Sequence, residues 1–136
     1  MALVPDISIV LSRVLRETTP RIASILGRMG RDEWIVPALW WFELRNALVV
    51  NEQRRRLTEQ ETTNFLRALS LDMTITIEPV PEETAVMVLA RRHRLTVYDA
   101  AYLELALRER LPLATLDVPL AEAARREDVE VLGDSA

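Results

Sequence analysis

Tyr98-Asp-Ala-Ala-Tyr-Leu-Glu-Leu-Ala-Leu-Arg-Glu-Arg-Leu-Pro-Leu-Ala-Thr-Leu-Asp-Val-Pro-Leu-Ala-Glu-Ala-Ala-Arg-Arg126 is the stretch on which the fold turns. Tyr98–Arg110 reads as a helix. Leu113-Ala-Thr115 is a short apolar run and reads as a strand. Pro119–Arg126 reads as a helix again, with proline in its first turn, where the missing N–H costs nothing. The same alternation continues outward. Upstream lie a helix over Pro81–Arg92 and a strand at Thr74-Ile-Thr-Ile77, which is β-branched throughout. A capping box, Thr58-x-x-Glu61, opens a helix through Leu69. Before it comes an unusually apolar helix from Leu39 to about Val50. Trp34-Ile-Val36 is a strand stopped by Pro37. Pro20 opens a helix with Ile22, Ile25, Leu26 and Met29 on one face. Ile9, Val10, Val14 and Leu15 recur at helical spacing after a strand at Leu3–Val4 that ends at Pro5–Asp6. Downstream, Val129–Leu132 reads as a last strand and 133–136 as a flexible tail. Strands alternating with helices argue for an α/β fold in three layers, α/β/α, around a central parallel sheet of about five short strands.

Composition narrows the class. The chain has 136 residues, enough for one domain with its own core and too few for two. With 49% apolar and 28% charged residues it has the balance of a globular protein. No apolar run approaches the ~18 residues of a membrane span. The N-terminal residues lack the features of a signal peptide. Cysteine is absent, which excludes disulfides, thiol catalysis and thiolate metal sites and suits the reducing cytoplasm. The net charge is −4, unusual for a nucleic-acid binder. All 17 basic residues are arginine, gathered in short clusters at Arg54–Arg56, at Arg91, Arg92 and Arg94, and at Arg125–Arg126.

In open parallel sheets, ligands bind beyond the carboxyl ends of the strands. Asp6 follows the first strand and Asp117 follows Leu113–Thr115. Glu43 lies one turn inside the helix after Trp34–Val36. Asp99 stands at a helix N-terminus, where the dipole favours an anion. An Asp at a helix start is ordinarily an N-cap. Glu43, set among Leu39, Trp40, Trp41, Phe42 and Leu44, needs solvent or a partner. Hard divalent cations prefer carboxylate oxygens, and a bound cation activates water and offsets charge on a phosphate. Crowded carboxylates repel one another until a cation arrives, which reconciles an acidic protein with an anionic substrate.

Four segments carry a resemblance. Val4-Pro-Asp6-Ile-Ser8, Pro37-Ala-Leu-Trp-Trp-Phe-Glu43-Leu-Arg-Asn46, Leu95-Thr-Val-Tyr-Asp99-Ala-Ala-Tyr and Leu113-Ala-Thr115-Leu-Asp117 occur in the order found in PIN-domain ribonuclease toxins of the VapC type. The resemblance implies a single PIN domain over 1–132 with a five-stranded parallel sheet. It implies Mg²⁺- or Mn²⁺-dependent cleavage of RNA, a cognate antitoxin and a homodimer. It assigns Asp6, Glu43, Asp99 and Asp117 as the catalytic, metal-binding acids, with Asp117 serving a second metal or supporting the other three. Ser8 and Thr115 become hydroxyls that orient carboxylates or water, and Asn46 a side chain that steadies Glu43. One departure stands out: Pro5 precedes Asp6 where such proteins carry an apolar residue with an N–H. In a central strand that proline removes a ladder bond and is expected to shift Asp6.

Other readings fare less well. The single histidine, His93, excludes a two-histidine ribonuclease mechanism, and its place in Arg91-Arg-His-Arg94 suggests a solvated helix end. Trp40 and Trp41 are expected in the core or a dimer interface rather than stacked on bases. Haloacid-dehalogenase-like phosphatases and receiver domains use a lysine, and this chain has none. The surviving alternative is a catalytically degenerate PIN module that binds RNA or a protein partner.

Overall fold

The computed structural model describes residues 1–133, so of the tail expected at 133–136 only Gly133 lies among the described residues. The elements run β1 (Ala2–Pro5), α1 (Ile7–Val14), α2 (Pro20–Met29), β2 (Glu33–Pro37), α3 (Leu39–Gln53), α4 (Glu59–Asp72), β3 (Ile75–Glu78), α5 (Glu83–His93), α6 (Val97–Glu109), β4 (Leu113–Ala114) and α7 (Val118–Arg126). The strands form a parallel sheet in the order β3-β2-β1-β4. Helices flank it in two groups: α1 packs on α2 and α3, while α6 packs on α5, α7 and the sheet. This is the expected α/β fold. The chain winds from β1 out to β3, then returns to place β4 on the other side of β1. In such sheets a ligand site forms at that reversal, here beyond the carboxyl ends of β1 and β4.

Local sequence explains most of this framework. Leu3 and Val4 of β1 are wholly buried, as a strand covered on both faces requires. Ile22, Ile25 and Met29 form the buried stripe of α2. Trp34 of β2 sits in the core and satisfies its indole by donating to the Met29 carbonyl at 2.9 Å. Helix α6 is buried along most of its length, and its alanines at 100, 101 and 106 let it lie close to the sheet. The capping box of α4 is present in both directions: Thr58 Oγ1 accepts from Glu61 N–H, and Glu61 accepts from Thr58 N–H. No helix among the described residues is long and apolar enough to cross a membrane.

The structure corrects three expectations. Of the fifth strand, Val129–Leu132, a single bridge remains, between Val131 and Leu113. Leu113 makes both bonds, donating to Glu130 O and accepting from Leu132 N–H. β4 ends at Ala114 because the next residues turn into the α7 cap, so it offers no length for a longer ladder. Gly133 then turns with φ +87°, where a Cβ would come within 2.8 Å of Ile25.

Pro5 costs the ladder to β4 nothing. The N–H groups of Val4 and Asp6 both donate toward β4, to Pro112 O and Ala114 O at 2.9 and 3.0 Å. The residue between them faces β2, where the paired register runs only through Ala2 and Leu3. The proline therefore removes a bond the ladder does not use. His93 is not solvated: its side chain is 4% exposed, and Nε2 lies 2.6 Å from Glu127, which also accepts from Arg92. The pair ties the end of α5 to the end of α7.

Candidate active site

Local structure places each of the four acids. Asp6 leaves the end of β1 and becomes the N-cap of α1. Asp117 leaves β4 and caps α7, accepting from Leu120 N–H at 3.0 Å. Glu43 comes from the second turn of α3. Asp99 is in the first turn of α6, but it is not the cap: Thr96 holds that position and accepts from Asp99 N–H at 3.1 Å.

Asp6 is the most enclosed, at 5% exposure. Ser8 donates to its Oδ1 and Thr115 to its Oδ2, each at 2.6 Å. Burial pushes its carboxyl up to about 6, against the lowering pull of those hydroxyls, and the charge of Asp117 adds to the rise. Glu43 is half-buried. Its carboxyl is raised by burial first and by the charges of Asp99 and Asp6, while a hydrogen bond from Tyr102 lowers it. Asp99 is raised by burial and by Asp117, with Thr96 pulling the other way. The four carboxylates thus repel one another in a closed set, Asp6 with Asp117 and Glu43, and Asp99 with Glu43 and Asp117.

Thr115 joins two of the acids. Wholly buried, its hydroxyl donates to Asp6 and accepts from Asp117 N–H at 3.0 Å. Ser8 Oγ accepts from Leu116 N–H at 2.8 Å. These contacts lock the end of β4 to the start of α1. Asn46 is exposed on α3, and the hydrogen bond that holds Glu43 comes instead from the Tyr102 hydroxyl, at 2.6 Å. Sequence reasoning passed over Tyr102. Its signal was its place three residues after Asp99, on the same face of one helix.

The donor chemistry fits a hard divalent cation: four carboxylates with neutral hydroxyls, and no sulfur or imidazole. Among the described residues no ion pair reaches Asp6, Glu43, Asp99 or Asp117. In their present rotamers no three of the described His, Cys, Asp and Glu side chains are gathered closely enough to hold one ion.

The PIN domain family matches residues 3–126. No curated protein matches the chain. Among solved structures, PAE2754 from Pyrobaculum aerophilum superimposes with a TM-score of 0.67 at 20% identity, over 90% of this chain and 79% of that one. FitAcB from Neisseria gonorrhoeae gives 0.66 at 20% identity, over 97% and 96%. A toxin–antitoxin complex from Klebsiella pneumoniae gives 0.58 at 21% identity, over 85% and 86%. At these identities the likeness is one of fold.

Proposed function

Since the chain belongs to the PIN-domain family, we propose that it is a divalent-cation-dependent endoribonuclease and the toxin of a type II toxin–antitoxin pair of the VapC kind. One observation carries this reading: Asp6 and Asp117 leave the carboxyl ends of adjacent strands joined through the Thr115 hydroxyl, Tyr102 ties Glu43 to the helix that bears Asp99, and none of the four pairs with a cation among the described residues. Residues 1–132 act as one PIN domain.

Asp6, Glu43 and Asp99 would hold Mg²⁺ or Mn²⁺, with Asp117 as a further acid, and the ion would supply an activated water and offset charge on the scissile phosphate. The protein's part is positional. Ser8 and Thr115 fix both oxygens of Asp6. Tyr102 fixes Glu43. Thr96 caps α6, and its hydroxyl also bonds the Asp99 carboxylate, so a neutral group holds this acid as well. Water attacks phosphorus in line and leaves a 5′-phosphate and a 3′-hydroxyl.

The toxin assignment draws support from the Klebsiella pneumoniae structure, which was solved as a toxin–antitoxin complex. An arginine from an antitoxin suits this acidic group, since it forms charge-assisted bonds with Glu43 or Asp99 and competes with the cation. The apolar surface of α3 supports a homodimer, and the absence of cysteine suits the cytoplasm.

The test is RNA cleavage with Mg²⁺, Mn²⁺ or chelator, beside Asp99→Asn. Metal-dependent cuts lost in the variant, with 5′-phosphate ends, are expected. Ends bearing a 2′,3′-cyclic phosphate overturn the mechanism. RNA bound but left intact with either ion selects the degenerate binding module. Expression with and without the neighbouring reading frame tests the toxin assignment, which fails if an active nuclease leaves growth unaffected.

A further inference from the structure

We propose that Tyr102 is the positioning residue for Glu43, holding its carboxylate in the acidic group through a neutral hydroxyl that orients the acid without cancelling its charge. The inference rests on the cation-dependent reading of the site.

Tyr102 is 1% exposed, and its hydroxyl donates to Glu43 Oε1 at 2.6 Å. The two residues lie on different helices, α6 and α3, so the bond crosses the site rather than running along one element. On α6, Tyr102 follows Asp99 by three residues and shares its face. One face of α6 therefore supplies both a carboxylate and the donor that holds another. Glu43 needs such a hold. It is half-exposed, its side chain turns about three bonds, and Asp99 and Asp6 both repel it. Without a donor, the low-energy course is rotation toward solvent, away from those charges.

The identity of the donor matters. An arginine in this position would hold Glu43 more strongly but would neutralise the charge that attracts a cation. A tyrosine has one proton to donate and no charge, and a carboxylate has lone pairs to spare. The same solution recurs at Asp6, held by the hydroxyls of Ser8 and Thr115. Hydroxyls hold both acids, and the group stays anionic.

Tyr102→Phe removes one oxygen and keeps the ring that fills the core. Calorimetric titration with Mn²⁺ is expected to show affinity about 10-fold weaker than wild type, the scale of losing a partner that orients a ligand. Glu43→Gln should weaken binding by itself, and adding Tyr102→Phe to it should change nothing more. If wild type binds Mn²⁺ and Tyr102→Phe binds it equally well, the positioning role is overturned while the cation reading stands. If wild type binds no Mn²⁺, both fall. A second measurement keeps the Tyr102 hydroxyl in place. The chain has two tyrosines, Tyr98 and Tyr102. Fluorotyrosine-labelled Tyr98→Phe protein therefore gives one fluorine resonance, from Tyr102. Mg²⁺ should shift it, and Glu43→Gln should abolish the shift; a resonance indifferent to Mg²⁺ overturns the proposal.

Discussion

Asp6 shows how a single residue couples the site to stability. Its carboxyl lies near 6 in the folded protein against an ordinary 3.8. Between those values the native state keeps a proton that the unfolded state has lost, so stability falls as pH rises through that window and levels off above it. The gap corresponds to about 3 kcal/mol at neutral pH. Asn caps a helix as well as Asp does. Asp6→Asn is therefore expected to melt higher than metal-free wild type at pH 7, with the difference vanishing below about pH 4. A difference that stays constant with pH in thermal melts would show that the carboxyl's charge is not its origin. Thr115→Val should have the opposite effect. It keeps the side chain's shape but strands Asp6 Oδ2 and the Asp117 N–H, at a cost of about 1–3 kcal/mol in denaturant unfolding.

At the scale of elements, two of the four acids double as helix caps: Asp6 caps α1 as well as lying at the site. Asp117 caps α7, while Thr96 rather than Asp99 caps α6. Asp117→Ala and Thr96→Ala should each cost about 1 kcal/mol. Asp99→Asn should not lower the stability of the metal-free protein, since burial and Asp117 raise its carboxyl too, while cleavage is lost. A large drop in melting temperature for Asp99→Asn would show that its carboxylate holds the start of α6. Helix ends provide a second test. α5 and α6 close on Arg94 and Arg110 in the left-handed region, at φ 53° and 55°. A side chain there is strained, and glycine is not. Arg94→Gly and Arg110→Gly should each stabilise the protein by about 0.5–1 kcal/mol, after allowing for glycine's greater freedom when unfolded.

For the whole molecule, the balance of charge and apolar surface points outward. Trp40, Leu44 and Leu48 bury one stripe of α3, while Phe42 is 70% exposed and Trp41 42%. Trp41 carries the Arg45 guanidinium 3.8 Å above its ring and Phe42 edge-on at 5.0 Å. Such a surface suits a two-fold interface. Light scattering at tens of micromolar should find a dimer, and Phe42→Glu a monomer; a monomeric wild type removes α3 as an interface. Cation binding should act on the entire fold by mass action. At 100 times its dissociation constant, Mg²⁺ is expected to raise the melting temperature by roughly 5–10 °C, and by less in Asp99→Asn.

Periodicity, proline placement and caps operate over a few residues, and so the alternation of strands and helices could be read from the chain itself. So could the positions of Asp6 and Asp117 just past strand ends, since a strand that stops and a helix that starts both leave local marks. Other features depend on pairs far apart in sequence. Ser8 meets Thr115 across 107 residues and Tyr102 meets Glu43 across 59. The bond from His93 to Glu127 spans 34, and the arginines around His93 disguised a buried side chain as a solvated one. The fifth strand failed for a related reason: its own residues favour extension, but the short β4 gives them one partner. Strand order decided the rest. By returning to place β4 beside β1, the chain set two strand ends together, and with them Asp6 and Asp117.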